Sequence, residues 1–89
     1  MINNQKILFK FIQANNNLYW ISISYNYKLS EKFIRGFKDK VEWYFISACQ
    51  ELSENFIEEF QYKVYWNLIS KYQKLSENFK EEFKYKLYD

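Results

Sequence analysis

Few of these 89 residues could act as a catalytic base, a nucleophile or a metal ligand. The chain has no His, one Cys (Cys49) and one Gly (Gly36). Without His there is no Ser-His-Asp or Cys-His group and no imidazole ligand. A lone Cys forms no internal disulfide or Cys-rich zinc site, and a lone Gly builds no phosphate-cradling loop. Cys49 also lacks an imidazole to activate it, so it reads as a structural or incidental thiol. Glu54/Glu58 and Glu77/Glu81 are i, i+4 pairs with the spacing of an acid–base dyad. A dyad needs burial to split its pKa values, and these carboxylates fall opposite an apolar stripe, so they read as a solvated face. No metal, no cofactor and no enzymatic activity are expected.

The aromatic residues are the other chemically distinctive group, at 24% of the chain. Trp20, Trp43 and Trp66 could stack on bases, as aromatic platforms do in single-strand binders. Their regular recurrence beside Ile and Val reads more simply as core between repeats, where aromatic rings bring large buried area. On that reading, Trp43→Ala should cost ~3–5 kcal/mol. The nine Tyr are less regular. Tyr19, Tyr44, Tyr65 and Tyr88 lie just before or after a Trp register position, and Tyr25, Tyr27, Tyr62, Tyr72 and Tyr85 are scattered. Tyr gives rigid contact area plus a hydroxyl and is enriched at binding surfaces.

What positions these side chains is a repeat of 23 residues. Trp20, Trp43 and Trp66 keep that step, as do Ile23, Ile46 and Ile69, and Ser24, Ser47 and Ser70. Leu-Ser-Glu-x-Phe stands at 29–33, 52–56 and 75–79, followed each time by Phe37, Phe60 or Phe83. The units are 18–40, 41–63 and 64–86, preceded by a cap at 1–17, in a single domain.

The second half of each unit reads as a helix. Phe56, Ile57, Phe60 and Val64 fall on one stripe. Ser30, Ser53 and Ser76 suit the N-cap, and Glu31, Glu54 and Glu77 then fall in the first turn. In the first half, Trp43, Ile46, Ser47 and Gln50 have helical spacing despite β-prone composition, and Asp39-x-x-Glu42 resembles a capping box. A straight helix would rotate its stripe by roughly 140° per 23 residues, so the chain must bend in every unit. The expectation is an all-α, solenoid-like array with two short helices per repeat. The helices are expected at 5–13, 18–25, 30–38, 41–50, 53–62, 64–73 and 76–87. At the N-terminus, residues 6–12 and 18–25 also alternate around Asn15-Asn16-Asn17, so a β-hairpin is the alternative to a capping helix.

Charge and composition narrow the setting. Residues 1–28 carry three Lys and no acid, whereas the remaining 61 carry ten cations and eleven anions, a net −1. That is a weak basic excess for a nucleic-acid binder. No apolar run reaches the ~18 residues of a membrane span, so no membrane partner and a cytoplasmic location are expected. Asn, Lys, Ile, Phe and Tyr supply 48 residues, and their codons are AT-rich, which suggests a low-GC genome such as that of a virus, phage or mobile element.

Val-Glu-Trp-Tyr-Phe-Ile-Ser, followed by Leu-Ser-Glu-Asn-Phe-Ile-Glu-Glu-Phe, and Val-Tyr-Trp-Asn-Leu-Ile-Ser-Lys-Tyr-Gln-Lys-Leu-Ser-Glu-Asn-Phe resemble a short repeat of giant-virus and phage proteins. That repeat runs roughly W-x-x-I-S-x-Y-Q-x-L-S-E-x-F-I. The resemblance covers residues 18–87 and departs at Ser24-Tyr25-Asn26-Tyr27, where the Tyr-Gln pair is absent. It implies a viral or mobile-element setting and a non-enzymatic repeat protein, and carries no established activity.

The expected function is therefore a protein-binding module, with inhibition of a host defence protein such as a CRISPR effector as its specific form. The alternative is an RNA- or DNA-binding repeat protein using Tyr and Lys. Positions that vary between units would form the reading surface: Tyr25/Ala48/Lys71, Asn26/Cys49/Tyr72, Tyr44/Asn67 and Arg35/Glu58/Glu81. Tyr44, Tyr65, Lys71 and Tyr72 are the expected partner-binding residues.

Overall fold

A computed structural model of the chain describes residues 20–87. The described part is all-helical. Its elements are α1 (Trp20–Asn26), α2 (Glu31–Gly36), α3 (Trp43–Cys49), α4 (Glu54–Glu59), α5 (Trp66–Tyr72), α6 (Glu77–Glu82) and α7 (Lys84–Leu87). Each 23-residue unit thus holds a Trp-led helix and a Ser-capped helix. The Trp-led helices stack in order, α1 on α3 and α3 on α5, and α7 packs against α5. Residues 20–26 are helical, so the second strand of a possible hairpin does not form. The proposed capping helix at 5–13 and the strand at 6–12 lie outside the described residues.

The three Ser caps form as their sequence positions predict. The amides of Phe33, Phe56 and Phe79 donate to the hydroxyls of Ser30, Ser53 and Ser76 at 3.0, 3.1 and 3.2 Å. The helices they open are shorter than the stripe suggests. Each ends at a Phe, where ψ rises to 33°, 33° and 25° at Phe37, Phe60 and Phe83. That change of ψ tilts the following turn away from the helix axis, so the expected single helix at 76–87 is broken into α6 and α7. The bend the 23-residue step demands is therefore shared between this Phe and the break before each Ser cap, where Gln50 and Gln73 are extended at ψ 145° and 148°.

The apolar cluster runs the length of the array. Phe33, Ile34, Ile46, Phe56, Ile57 and Ile69 are all at most 1% exposed. The Trp residues sit differently from expectation. Trp20 is buried, but Trp43 and Trp66 are half-buried at the edge of the cluster. Trp43 lies against Phe56 and Phe60 of its own unit, with centroids 6.2 and 5.1 Å away, and Trp66 against Phe79 and Phe83. Trp20 meets Phe37 in the same way. The rings therefore clamp the two helices of one unit together, correcting their assignment as core between repeats. The Nε1 of Trp43 and Trp66 donates to the carbonyl five residues back, Lys38 and Gln61. Trp20 Nε1 is buried without a partner among the described residues, and its equivalent acceptor position, Asn15, lies outside them.

What joins one unit to the next is a polar code of Ser, Gln and Glu. Ser24 and Ser47, both fully buried, accept hydrogen bonds from the amides of Glu42 and Tyr65 at 3.1 and 3.0 Å. Those amides stand just before the first residues of α3 and α5, and neither Glu42 nor Tyr65 caps its helix with its own side chain. The capping box read at Asp39-x-x-Glu42 therefore does not form; the preceding unit provides the acceptor instead.

Gln50, 4% exposed, accepts from the Leu29 amide at 2.9 Å and donates to the carbonyls of Ser24 and Tyr27 at 2.9 and 2.6 Å. Gln73 repeats the pattern on the Leu52 amide and the carbonyls of Ser47 and Gln50. A primary amide suits this place because it offers an acceptor and two donors at once.

The third link is carried by Glu. Glu31 accepts from both the amide and the hydroxyl of Ser53, at 2.6 and 3.0 Å, and Glu54 does the same to Ser76 at 2.6 and 3.1 Å. Both carboxylates are half-buried at the junction, which corrects the reading of Glu54 as part of a solvated face; Glu58, Glu77 and Glu81 are exposed. Charge-assisted hydrogen bonds of this kind contribute ~1.5–3 kcal/mol, less where water competes. Glu54→Ala should therefore lower unfolding free energy by about 1–2 kcal/mol. Glu77→Ala should cost no more than a few tenths, because Glu77 holds no following Ser among the described residues. Paired urea titrations of the two variants check the contrast.

Candidate functional site

The expected partner-binding residues are all exposed. Tyr44 lies in the first turn of α3 and Tyr65 just before α5, with 45% and 47% of their surface accessible. Although Tyr44 follows its Trp and Tyr65 precedes its own, the stacking of α3 on α5 brings their rings edge to face at 5.5 Å. They hold different positions in the repeat, which the sequence had grouped as one register. That offset is what lets them touch. Lys71 and Tyr72 close α5, with the Lys71 ammonium 5.4 Å from the Tyr72 ring centroid. Tyr65 and Tyr72 are seven residues apart and so share a side of α5. The four residues form two pairs, one at each end of that helix.

Two residues extend the first pair into a ribbon. Phe45, half-buried on α3, touches Tyr44 at 5.2 Å and Tyr25 of α1 at 5.5 Å, both edge to face. Tyr25, Phe45, Tyr44 and Tyr65 thus form one aromatic chain across three units. Phe45 was missed because an apolar residue beside Trp43 and Ile46 reads as core. Its register partners, Ser22 and Leu68, are dissimilar, and that variation was the available signal.

The other variable positions divide. Arg35 is committed: its Nε and Nη2 donate to both oxygens of Glu59 at 2.9 and 2.8 Å, joining α2 to α4. The Glu59 hydrogen bond holds the Arg35 guanidinium above its ordinary value, and the Arg35 hydrogen bond holds the Glu59 carboxyl below its own. A depressed carboxyl pKa means the pair stabilises the fold at neutral pH and stops doing so as pH falls through that lowered value. Both partners are 45% exposed, so the contribution is small. At the next junction the equivalent residues are Glu58 and Glu82, which cannot pair. Cys49 is exposed at the end of α3. Among the described residues no group of three Cys, Asp or Glu could hold a metal ion, and no helix is long and apolar enough to cross a membrane.

The C-terminal third carries further Lys–ring contacts. Lys84 lies over the exposed Tyr85 at 5.8 Å, and Lys86 reaches Tyr62 and Trp66 at 5.0 and 5.9 Å. No protein family, curated protein or solved structure matches this chain.

Proposed function

We propose that the chain is a non-enzymatic protein-binding module that docks a partner on the aromatic side of its Trp-led helices. One observation carries the reading: the ribbon of Tyr25, Phe45, Tyr44 and Tyr65, held in mutual ring contact across three units. Rings that already brace each other lose little rotamer freedom on binding, so more of the contact energy is retained as affinity. Their hydroxyls add directionality to an otherwise apolar contact. Lys71 and Tyr72 extend the surface at the far end of α5. The AT-rich composition and the resemblance to a giant-virus and phage repeat support an anti-defence role, with a host protein such as a CRISPR effector as target.

A second reading, single-stranded RNA or DNA binding, draws on the Lys–ring contacts at Tyr62, Tyr72 and Tyr85. The net −1 of residues 29–89 weighs against it, because affinity for a phosphate backbone is carried by excess cations.

The test separates surface from core. Capture from host extract should retain one partner on the wild-type chain and lose it on a Tyr44→Ala/Tyr65→Ala variant. Lys71→Glu and Tyr72→Ala should each weaken binding about tenfold or more, equivalent to ~1.4 kcal/mol. All of these variants should melt within a few degrees of wild type. Binding that survives all four substitutions would refute the assignment. A partner that proves to be nucleic acid, with affinity falling steeply with salt, would establish the second reading.

A further inference from the structure

We propose that the edge of the array formed by the turns after Phe37, Phe60 and Phe83 docks an extended acidic segment of a partner protein. The three turns occupy one place in the repeat, at 38–40, 61–63 and 84–86. Together they carry Lys38, Lys40, Lys63, Lys84 and Lys86 against a single acid, Asp39. The other residues of 29–89 carry five cations and ten anions. A nearly neutral stretch thus gathers half of its positive charge along one edge, where it can steer and orient an anionic partner.

Contacts across the junctions show that the turns adjoin. The Lys63 ammonium lies 3.8 Å from Asp39 of the preceding turn, and Lys86, in the same register, lies 5.0 Å from the Tyr62 ring centroid. Each turn is braced. The amides of Lys40, Lys63 and Lys86 donate to the carbonyls of Phe37, Phe60 and Phe83 at 2.9, 2.8 and 2.9 Å. The residues that follow, Val41, Val64 and Leu87, are buried anchors. A binder therefore meets a preformed row and little backbone has to be ordered. Lys38, Lys40 and Lys86 form no ion pair among the described residues. Outside those residues the sequence offers one carboxylate side chain, Asp89, against Lys6 and Lys10, so the chain has little with which to neutralise this row itself.

Spacing and neighbouring charge specify the occupant. Packed helices lie ~8–10 Å apart, so the stacked units present Lys at roughly that step. An extended polypeptide rises ~3.3 Å per residue, and carboxylates at every third residue keep the same step. Asp39 stands in the first junction, and Glu81 holds Lys84 at 3.0 Å in the last unit. A nucleic-acid strand, charged at every nucleotide, brings phosphates against both carboxylates, whereas a segment with spaced acids passes them. The rings on which a base would stack, Tyr62 and Tyr85, are already faced by the ammonium groups of Lys86 and Lys84. With 87% and 77% of their surface accessible, they offer rigid contact area to a peptide beside the charged groups. This edge carries the protein-binding reading to a second surface and shares no residue with the aromatic ribbon, so either assignment can fail alone.

The probe is a fluorescein-labelled peptide of four Glu-Ser-Thr units, titrated against the full chain at about 0.1 M salt, where the screening length is ~10 Å. Saturable binding is expected, and Lys40→Glu/Lys63→Glu should weaken it about tenfold or more. The gentler Lys38→Gln/Lys40→Gln should weaken it about threefold or more. Lys32→Glu/Lys74→Glu makes the same charge change at the opposite ends of the Ser-capped helices and should leave binding unaltered. Melting within a few degrees of wild type verifies that each variant keeps the fold. An isomeric peptide with its four Glu contiguous should bind less tightly. Absence of saturation up to about 1 mM, an equal loss from the Lys32 and Lys74 changes, or equal affinity for the contiguous peptide would overturn the proposal. Tighter binding of a twelve-nucleotide oligothymidylate, with the same dependence on Lys40 and Lys63, would also overturn it by assigning the edge to nucleic acid.

Discussion

Replacing Gln50 with Ala should be among the most damaging single changes in the protein, lowering unfolding free energy by about 3 kcal/mol or more. The side chain is 4% exposed and satisfies the Leu29 amide and the carbonyls of Ser24 and Tyr27. Each backbone group left buried without a partner costs ~1–3 kcal/mol. A domain of this size holds only about 5–13 kcal/mol in total, and a shift of ~4–8 °C per kcal/mol implies a fall in melting temperature of roughly 10–20 °C. Gln73→Ala should follow the same pattern with a smaller effect, since Gln73 is half-buried.

Gln50→Glu distinguishes the hydrogen-bond code from simple packing. A carboxylate keeps the bond from Leu29 but sets its second oxygen against two carbonyls. The protonated form is the one those carbonyls favour, so the folded-state pKa at position 50 rises above its unfolded value. A raised carboxyl pKa disfavours the fold at neutral pH and relieves that penalty as pH falls through it. The stability gap between Gln50→Glu and wild type should therefore narrow on acidification, whereas the gap for Gln50→Ala should stay flat. A pH-independent gap for both would mean that volume, not hydrogen bonding, is what position 50 requires.

Phe56→Ala should cost about 3–5 kcal/mol, the usual range for deleting a buried ring, and more than Trp43→Ala. Phe56 is 1% exposed and packs between Phe60 at 4.7 Å and Trp43, with the Arg35 guanidinium over its face at 5.4 Å. Trp43 is larger but half-buried, so its truncation removes fewer contacts and leaves a groove that water can fill. About 2–3 kcal/mol is expected for Trp43→Ala, below the 3–5 kcal/mol that a central position would imply. Urea unfolding of the two variants gives the order directly. A larger loss for Trp43→Ala would move the centre of the fold to the Trp ladder.

The sequence by itself determined the repeat length, the all-helical class, the Ser caps and the exposure of Tyr44, Tyr65, Lys71 and Tyr72. These follow from local rules: apolar spacing selects a helix, a hydroxyl before the first turn caps it, and positions that vary between units need not fill a common core. The roles of Gln50, Gln73, Glu31 and Glu54 were not legible, because a polar side chain carries no mark of where it ends. Glu54 in a first turn looks the same whether it faces water or the Ser76 cap of the next unit. Only the stacking of α1, α3 and α5 brings residues 21–26 positions apart within hydrogen-bond reach. The aromatic ribbon has the same origin: Tyr44 meets Tyr65, and Phe45 meets Tyr25, across junctions that local patterning does not describe. Tertiary structure also decided that the Trp rings clamp helices within a unit. The step of 23 residues requires a bend somewhere, and the extended residues before each Ser cap, such as Gln50 and Gln73, return each Ser-capped helix to its own Trp, while the turn at Phe37, Phe60 and Phe83 leads out of it.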